Sequence, residues 1–405
     1  MPTIDTETLR RHLLELCCSF PDRHVGGLGN RAANDLFAQV VGAQGFEVET
    51  TELPCMLWEH GPSRVEIPAA AFDIHAGPFS PPCAQKTTLA AASTVEEIER
   101  GGCEGQLLLL HGALTSEQLM PKGFTFYNPQ EHQRIIAALE AARPLAILAA
   151  TGKNPELAGG LYPFPLIEDG DFDLPTAFMR DVEGARLLKQ LGAEVTISID
   201  SRREHATTPQ LVATRNSDRP TRIVFFAHID SKHGTPGALD NASGVVTLLG
   251  LAELLRSYQG ALRIDLVPLN GEDYYAATGQ MFWLEQNRER LDDITLGCNV
   301  DGAGYRGQET AVSLYGCPEP IRAVVTSVME ARGLVEGPGW PQGDHSLFTI
   351  NQVPALAVTS ENAFFIGSTV AHTPEDKPEL VDCGAVATVA GFFADVVEGL
   401  EPSSE

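Results

Sequence analysis

Imidazole and carboxylate side chains recur at the ends of apolar segments in the second half of this 405-residue chain. The segments are RIVFFAHID, TPGALDN, RIDLVPLNGED, TLGCNVD and the loop that follows VPALAVTS. The side chains that they deliver belong to His228, Asp230, Asp240, Glu272, Asp273, Asp301 and His372. Zinc accepts nitrogen and oxygen ligands in this mixture. The pattern therefore favours a metal centre.

Each of these residues, taken singly, has an ordinary structural explanation. A lone histidine after a strand is usually a hydrogen-bonded structural residue, and Asp240 could cap the helix that follows it. Glu272 and Asp273 could lie in a solvated turn. These explanations do not account for the shared position of the residues at the ends of predicted elements. The joint interpretation, a metal site, is therefore the stronger one.

The elements that must position these residues alternate between strands and helices from about residue 210 onward. Strands are predicted at RIVFFAHID, RIDLVPLN, TLGCNVDGAG and VPALAVTS, and helices at NASGVVTLLGLAELLRS, GQMFWLEQNRERL, IRAVVTSVMEARG and DCGAVATVAGFFADVVEGL. Strands with such apolar sequences are typical of a sheet covered by helices on both faces, hence an α/β fold. Ligands bind such sheets beyond the carboxyl ends of the strands, where the candidate residues lie.

Two regions precede this alternation. Residues 5–18 repeat apolar positions with a helical period, RAANDLFAQVVGAQG predicts a second helix, and FEVET predicts a strand. Between residues 55 and 205 proline and glycine are dense, and the short apolar runs QLLLLHG, PLAILAAT and EVTISID predict strands between loops. We expect this region to be a small β-rich module with one or two helices, inserted into a larger domain.

Acidic residues outnumber basic residues by 54 to 28, which gives a net charge of −26. The excess disfavours nucleic acid and anionic membrane surfaces as partners, because both require cationic patches. No stretch reaches the ~20 apolar residues of a membrane helix, and the first residues lack the apolar core of a signal peptide. The eight cysteines form no Cys-x-x-Cys pair. We expect mostly buried free thiols in a cytoplasmic protein, with homo-oligomerisation left open.

The motifs HID, GALDNASG, NGED, NVDG, GDHSLF and HTPED occur in this order. They resemble the co-catalytic zinc aminopeptidases, family twenty-eight of the metallopeptidases. The resemblance covers residues 207–405 and extends to HVGGLGNRAANDLF near the start. It implies a three-layer αβα mixed sheet of the zinc-peptidase type, formed by residues 1–54 and 207–405. The insertion at 55–206, with its phrase LPTAFMRDVEGARLL, is similar to a protease-associated domain.

The resemblance implies two zinc ions per chain, with cobalt or manganese as possible substitutes. His228 and Asp301 would hold one ion, Asp273 and His372 would hold the other, and Asp240 would bridge them. A carboxylate has two oxygens, so one aspartate can span two metals about 3.5–4 Å apart. Many members have glutamate where Asp273 stands, so the metal spacing or the metal itself could differ here.

Two further acidic residues receive roles from the resemblance. Glu272 matches the general base, which takes a proton from water and gives it to the leaving amine. Asp230 would accept the second N–H of the His228 imidazole and fix its tautomer. The peptide bond between Asp240 and Asn241 is often cis in this family, and we expect it to be cis here.

The substrate pocket is less well defined by the sequence. Asp344 and His345, in GWPQGDHSLF, match a motif near the pocket and are expected to form part of the site without binding metal. Residue 371 is alanine, where some members have a tyrosine that stabilises the oxyanion. The second zinc ion, Tyr274 or Tyr305 would have to serve instead.

The sequence thus predicts a di-zinc exopeptidase, with an aminopeptidase that acts on peptides as the leading hypothesis. A carboxypeptidase, a dipeptidase or another amide hydrolase would use the same metal ligands, because specificity resides in pocket loops. A non-catalytic binding protein on the same fold is the contrasting class. It is the weaker hypothesis, because this chain keeps all five ligand positions and the base.

Overall fold

The computed structural model describes residues 4–68, 70–153, 160–340 and 342–402. The chain divides into two compact units. The first comprises Met1–Cys55, Thr207–Ile366 and Val370–Glu405, and the second comprises Met56–Ala206 and Gly367–Thr369.

The helices, in chain order, are α1 (Thr6–Leu14), α2 (Leu28–Ala43), α3 (Val95–Glu99), α4 (Gln130–Ala142), α5 (Asp181–Leu187), α6 (Ser243–Leu254), α7 (Thr278–Asn287), α8 (Glu319–Arg332), α9 (Ser346–Thr349), α10 (Ala363–Thr369) and α11 (Cys383–Gly399). Single π-helical turns occur at Glu15–Ser19 and Ala238–Ala242. Short 3₁₀ segments occur at Gly112–Thr115, Leu188–Gln190, Arg288–Asp293 and Pro378–Leu380.

The strands, in chain order, are β1 (Glu47–His60), β2 (Ser63–Ile67), β3 (Ala70–Ala76), β4 (Cys83–Ala92), β5 (Leu107–Leu110), β6 (Ala146–Thr151), β7 (Thr176–Arg180), β8 (Glu194–Ile199), β9 (Ser201–Arg215), β10 (Arg222–His228), β11 (Arg263–Leu269), β12 (Ile294–Val300), β13 (Thr310–Tyr315), β14 (Val335–Glu336) and β15 (Ala355–Ser360).

A mixed sheet forms the centre of the first unit. Among the described residues it has eight strands in the order β1-β9-β11-β10-β12-β15-β13-β14. Strand β10 runs parallel to β11 and β12, and β12 runs parallel to β15. Strands β9 and β13 pair antiparallel with β11 and β15, respectively. The carboxyl ends of the four parallel strands therefore meet at one edge of the sheet.

Helices cover both faces of this sheet. Every residue of β10 is buried, and successive side chains of a strand point to opposite faces. Phe225 packs against Phe393 of α11 at a ring distance of 5.1 Å. Its neighbour Phe226 stacks on Phe348 of α9 at 4.5 Å and meets Trp283 of α7 edge-on at 4.8 Å. The predicted three-layer α/β architecture is confirmed.

The sequence interpretation missed five elements of the central sheet and its helices. Strand β9 pairs with β11, strands β13 and β14 extend the sheet beyond β15, and helices α9 and α10 lie between predicted elements. The run TAVSLY that forms β13 follows directly on a polar loop, and β14 has only two residues. Segments this short have too few periods for their pattern to be recognised.

The second unit contains a closed barrel of seven described strands in the order β2-β3-β7-β6-β5-β4-β8. Its β-rich character agrees with the sequence interpretation, although three helices, α3, α4 and α5, are present where one or two were expected. The phrase LPTAFMRDVEGARLL forms strand β7 and helix α5, and β8 then completes the barrel. The similarity to a protease-associated domain stays a prediction.

The cysteines are mostly buried free thiols, as the sequence predicted. All eight cysteines are free thiols, and six of them are buried. Within the described ranges, no helix combines the length and the apolar character needed to cross a membrane.

The contact between β12 and α9 leads to a stability prediction. A Cβ atom at Gly297 would lie 2.3 Å from the ring of Phe348. We expect Gly297→Ala to lower the free energy of unfolding by about 1–3 kcal/mol, because the packed ring has to shift. Urea denaturation measures the change. The control is Gly42→Ala in α2, where the nearest atom is 4.0 Å away and alanine should be neutral or stabilising. Equal midpoints for the two variants would contradict the packing argument.

Candidate metal centre

The five predicted metal ligands come together at the carboxyl edge of the sheet. His228 is the last residue of β10, and Asp301 follows the last residue of β12. Asp273 lies in the turn after β11, and His372 lies in the loop beyond β15 and α10. Asp240 belongs to the π-helical turn that leads into α6. Five separate segments thus deliver one ligand candidate each.

The five side chains form two groups that share one carboxylate. Nε2 of His228 lies 3.0 Å from Oδ1 of Asp240 and 3.7 Å from Oδ1 of Asp301. Nε2 of His372 lies 3.0 Å from Oδ2 of Asp240 and 2.9 Å from Oδ1 of Asp273. The candidate ligand atoms of each group lie within 4.8 Å of one another. The two oxygens of Asp240 therefore face the two groups separately.

Two buried polar atoms indicate that this arrangement suits cations. Nε2 of His228 and Oδ2 of Asp273 are shielded from solvent and make no hydrogen bond. His228 is fully buried, and the side chain of Asp273 is 2% exposed. Unpartnered polar atoms in such places are costly unless another group satisfies them. One imidazole and two carboxylates in each group form a donor set that zinc accepts, so the residues present fit two metal ions.

The charges of the site shift the pKa values of its members in opposite directions. Burial lowers the pKa of His228, but the carboxylates of Asp240 and Asp301 outweigh it and raise the pKa well above its usual range. His372 is raised in pKa for the same reason, by Asp273 and Asp240. Burial raises the pKa of Asp240, but the two imidazoles lower it by a larger amount. The pKa of Asp240 therefore lies below its usual range. The two imidazoles thus favour the charged form of the shared carboxylate.

The structure corrects the predicted role of Asp230. Nδ1 of His228 faces the main-chain carbonyl of Asp230 at 3.2 Å, and the carboxylate oxygen is 3.8 Å away, beyond hydrogen-bonding distance. The carboxylate instead accepts N–H groups of Gly271, Glu272 and Asp273, at 2.7, 3.3 and 3.0 Å. Asp230 is therefore a positioning residue that fixes the main chain of the turn after β11.

Glu272 lies in that turn, next to Asp273. It is partly buried, and burial, aided by neighbouring carboxylates and opposed by His228, raises its pKa well above the usual range. Asn270 anchors the same turn. Its Nδ2 donates to Oδ1 of Asn30 and to Oγ1 of Thr208, at 3.0 and 2.7 Å. The sequence interpretation did not identify this buried amide network, because its members are far apart in the chain.

The turn that carries Asp240 is held by a second aspartate. Asp376 is fully buried, and its carboxylate accepts the N–H groups of Leu239 and Asp240 at 2.8 and 3.0 Å. The peptide bond from Asp240 to Asn241 is cis, as predicted. The side chain of Asn241 donates to the carbonyl of Val300, the last residue of β12, at 2.8 Å. The bridging candidate is thus tied to the strand that leads to Asp301.

Arg23 was also missed by the sequence interpretation. Its side chain is fully buried and donates to the carbonyls of Ile229, Pro236 and Gly237 at 3.0, 2.7 and 2.9 Å. These carbonyls begin and end the loop between His228 and the Asp240 turn. Gly237 has a positive φ of 57°, and a Cβ there would lie 2.8 Å from the guanidinium. The arginine therefore shapes the loop, and only glycine fits at its end.

Asp344 interacts electrostatically with His228 and Asp301 of the cluster. A role of Asp344 and His345 in the substrate site stays a prediction. Oδ1 of Asp344 accepts from Nε2 of Gln280 at 2.5 Å. Burial raises the pKa of Asp344 to about 7, with the charge of His228 acting in the opposite sense. His345 is buried, with Nε2 2.9 Å from the carbonyl of Trp340. His345 therefore contacts the protein and lies outside both metal-binding groups.

The two candidate tyrosines differ in exposure. Tyr274 is 4% exposed and packs against Tyr275 at a ring distance of 4.6 Å. Tyr305 is partly buried, and its main-chain N–H donates to Oγ of Ser360 at 3.0 Å. Trp283 is buried and meets the rings of Phe226 and Phe348 edge-on. A substrate-binding role for either tyrosine stays a prediction.

The chain is similar to proteins of one enzyme family. Residues 210–397 match the family described as Peptidase family M28. A probable leucine aminopeptidase 2 from Arthroderma benhamiae is 22% identical over 389 residues, which cover 88% of this chain and 72% of that protein. The segment that matches the family, residues 210–397, includes all five ligand candidates and Glu272.

Solved structures share the fold over nearly the whole chain. The aminopeptidase from Aneurinibacillus sp. strain AM-1 superposes with a TM-score of 0.77 at 16% identity, covering 99% of this chain and 95% of its own. A zinc aminopeptidase from Bacillus subtilis gives a TM-score of 0.74 at 16% identity, covering 99% and 96%. The fold, the ordered motifs and the family match agree: residues 210–397 of this chain match peptidase family M28.

Proposed function

We propose that this protein is a di-zinc aminopeptidase that removes the N-terminal residue of peptides. The observation that carries the proposal is the pair of ligand groups that share the two oxygens of Asp240. A carboxylate that is not part of either group, Glu272, lies beside them. The relatives named leucine aminopeptidase support the choice of an exopeptidase.

In this proposal His228 and Asp301 would hold one zinc ion, and Asp273 and His372 would hold the other. Asp240 would be shared, because its two oxygens face the two groups separately. Bound zinc supplies Lewis acidity, which polarises a peptide carbonyl and lowers the pKa of water toward about 7. Cobalt or manganese could replace zinc, because oxygen and imidazole ligands suit all three metals.

Glu272 acts as the general base of the proposed reaction. Its carboxylate takes a proton from the attacking water and delivers it to the amine that leaves. The turn that holds Glu272 is fixed by Asp230 and Asn270, so the base has a defined position relative to Asp273. A carboxylate suits this role, because it can accept a proton from water and give it up again to the amine.

The charge of the cluster does not by itself select the substrate. Asp240, Asp273, Asp301 and Glu272 are four acidic side chains in one cluster, and Asp344 interacts with them electrostatically. Two divalent ions would balance these four charges, so the net charge of the filled site does not distinguish an ammonium group from a carboxylate. The choice of an aminopeptidase over a carboxypeptidase therefore rests on the relatives named leucine aminopeptidase.

A substrate panel tests the proposal. We expect the purified protein to hydrolyse leucyl and other aminoacyl nitroanilides, and to leave the same compounds intact when their amine is acetylated. Treatment with 1,10-phenanthroline should abolish the activity, and zinc, cobalt or manganese should restore it, because the site needs its metals. Cleavage of N-blocked peptides with a free C-terminus would identify a carboxypeptidase instead. A protein that turns over no substrate with two ions bound per chain would be a binding protein.

Replacement of the base separates catalysis from metal binding. Glu272→Gln should lower kcat by about 10²–10⁴-fold, because the proton can no longer be accepted, and should leave the metal content unchanged. Steady-state kinetics and elemental analysis measure the two quantities. The matched control is Glu285→Gln, since the side chain of Glu285 is 67% exposed on α7. Full activity in the Glu272 variant would show that the base is assigned to the wrong residue.

The support of the bridging carboxylate leads to a third test. Asp376→Ala removes the acceptor for two buried N–H groups of the Asp240 turn. We expect the zinc affinity, measured by competition with a chromogenic chelator, to fall by about 10–100-fold, as for other groups that orient metal ligands. The control is Glu375→Gln, whose side chain is 74% exposed. Unchanged affinity in the Asp376 variant would mean that the turn keeps its shape without this carboxylate.

A further inference from the structure

Two imidazoles and a carboxylate converge at a second place, outside the ligand set described above. They belong to Asp22, His24 and His233. Nδ1 of His24 lies 2.6 Å from Oδ1 of Asp22, and Nε2 of His233 lies 3.7 Å from Oδ2 of the same residue. Candidate ligand atoms of the three residues all fall within 4.8 Å. This is the spacing also found in the two groups around Asp240.

The two segments that supply these residues are fixed to each other. Asp22 and His24 flank Arg23, whose buried guanidinium binds the carbonyls at both ends of the 229–237 loop. Burial alternates along this stretch, so that the arginine points inward and its two neighbours are only partly buried. His233 lies within the same loop. The arginine therefore brings the histidine of one segment beside the aspartate and histidine of the other.

The ring of His24 is held in place before any ligand binds. It lies against Gly27, where an added Cβ would come within 2.8 Å of the ring. Nε2 of His24 is buried and has no hydrogen-bond partner among the described residues. The ring is therefore held by the contact between its Nδ1 atom and Oδ1 of Asp22. A side chain that is already positioned loses little conformational freedom when it binds an ion.

The rings of His24 and His233 lie 4.7 Å apart, tilted by 33°. Two imidazolium ions at this distance would repel each other, whereas two neutral imidazoles can donate lone pairs to one cation. Metal binding by the three residues would use neutral imidazoles and an ionised carboxylate.

We propose that Asp22, His24 and His233 form an additional binding site for a divalent transition metal ion, with zinc as the expected occupant. Two imidazoles and one carboxylate suit zinc, and water can complete the coordination. The ion would fasten the 229–237 loop to the N-terminal segment. Lys232, in the same loop, donates to the main-chain carbonyl of Asp273 at 3.1 Å. The site would therefore stabilise a loop that contacts the proposed catalytic centre.

Metal stoichiometry tests this proposal and does not depend on the proposed peptidase activity. The full-length protein is stripped with dipicolinate and titrated with zinc against a chromogenic chelator. We expect wild-type protein to bind one ion more than His24→Gln and His233→Gln. If two ions fill the catalytic centre, the wild-type protein should bind three ions per chain and each variant should bind two. If the catalytic centre binds fewer ions, the difference of one remains.

A matched control excludes binding by surface histidines in general. His205 is exposed and lies outside all three groups of candidate ligands, so His205→Gln should bind as many ions as the wild type. Circular dichroism checks that each variant is folded, and the two test variants lie on different segments. Equal stoichiometry in the wild type and in both test variants would overturn the proposal. Loss of one ion in the His205 variant would overturn it too.

Discussion

A buried carboxylate joins the ends of two parallel strands in this protein, and the geometry of the candidate centre depends on it. Asp230 follows β10, and its carboxylate accepts three main-chain N–H groups from the turn after β11. Hydrogen bonds from N–H groups to an ionised acceptor are stronger than neutral ones. The turn that carries Glu272 and Asp273 is thereby fixed relative to His228. Hydrogen bonds at the strand ends therefore hold the side chains of the centre in position, and long flexible loops are not needed for this.

The same edge of the sheet concentrates negative charge, which sets a second constraint. Burial of several carboxylates is unfavourable unless cations or N–H donors compensate them. Asp301 has its pKa raised mainly by burial, whereas Asp240 has its pKa depressed by the two imidazoles. The carboxylate shared by both groups is thus the one that stays charged most readily. A cluster of this composition is best satisfied by divalent cations.

The sequence predicted most of the central sheet and all the members of the candidate centre, because both follow from local patterns. Apolar strands alternate with amphipathic helices, and polar residues follow each strand end. The prediction for Asp230 was wrong, because its partners are main-chain N–H groups, which no side-chain pattern reveals. Arg23, Asn270 and Asp376 were missed for a related reason. Their partners lie far away along the chain, by 206 residues between Arg23 and Ile229, so only the folded structure brings them together.

The residues that were missed share one task, which is to hold the parts of the centre that do not lie on strands. His228 pairs with Leu269 in the ladder of the sheet, and the N–H of Asp301 donates to the carbonyl of Val358 on β15. Asp240 lies on a turn that no ladder supports, although it is the residue that has to face both groups. Its position depends on Asp376 from one side and on the loop held by Arg23 from the other. A shared ligand thus requires more supporting contacts than the terminal ligands do. The additional metal site proposed at Asp22, His24 and His233 would reinforce the same loop, which is the part of the centre that the sheet leaves unsupported.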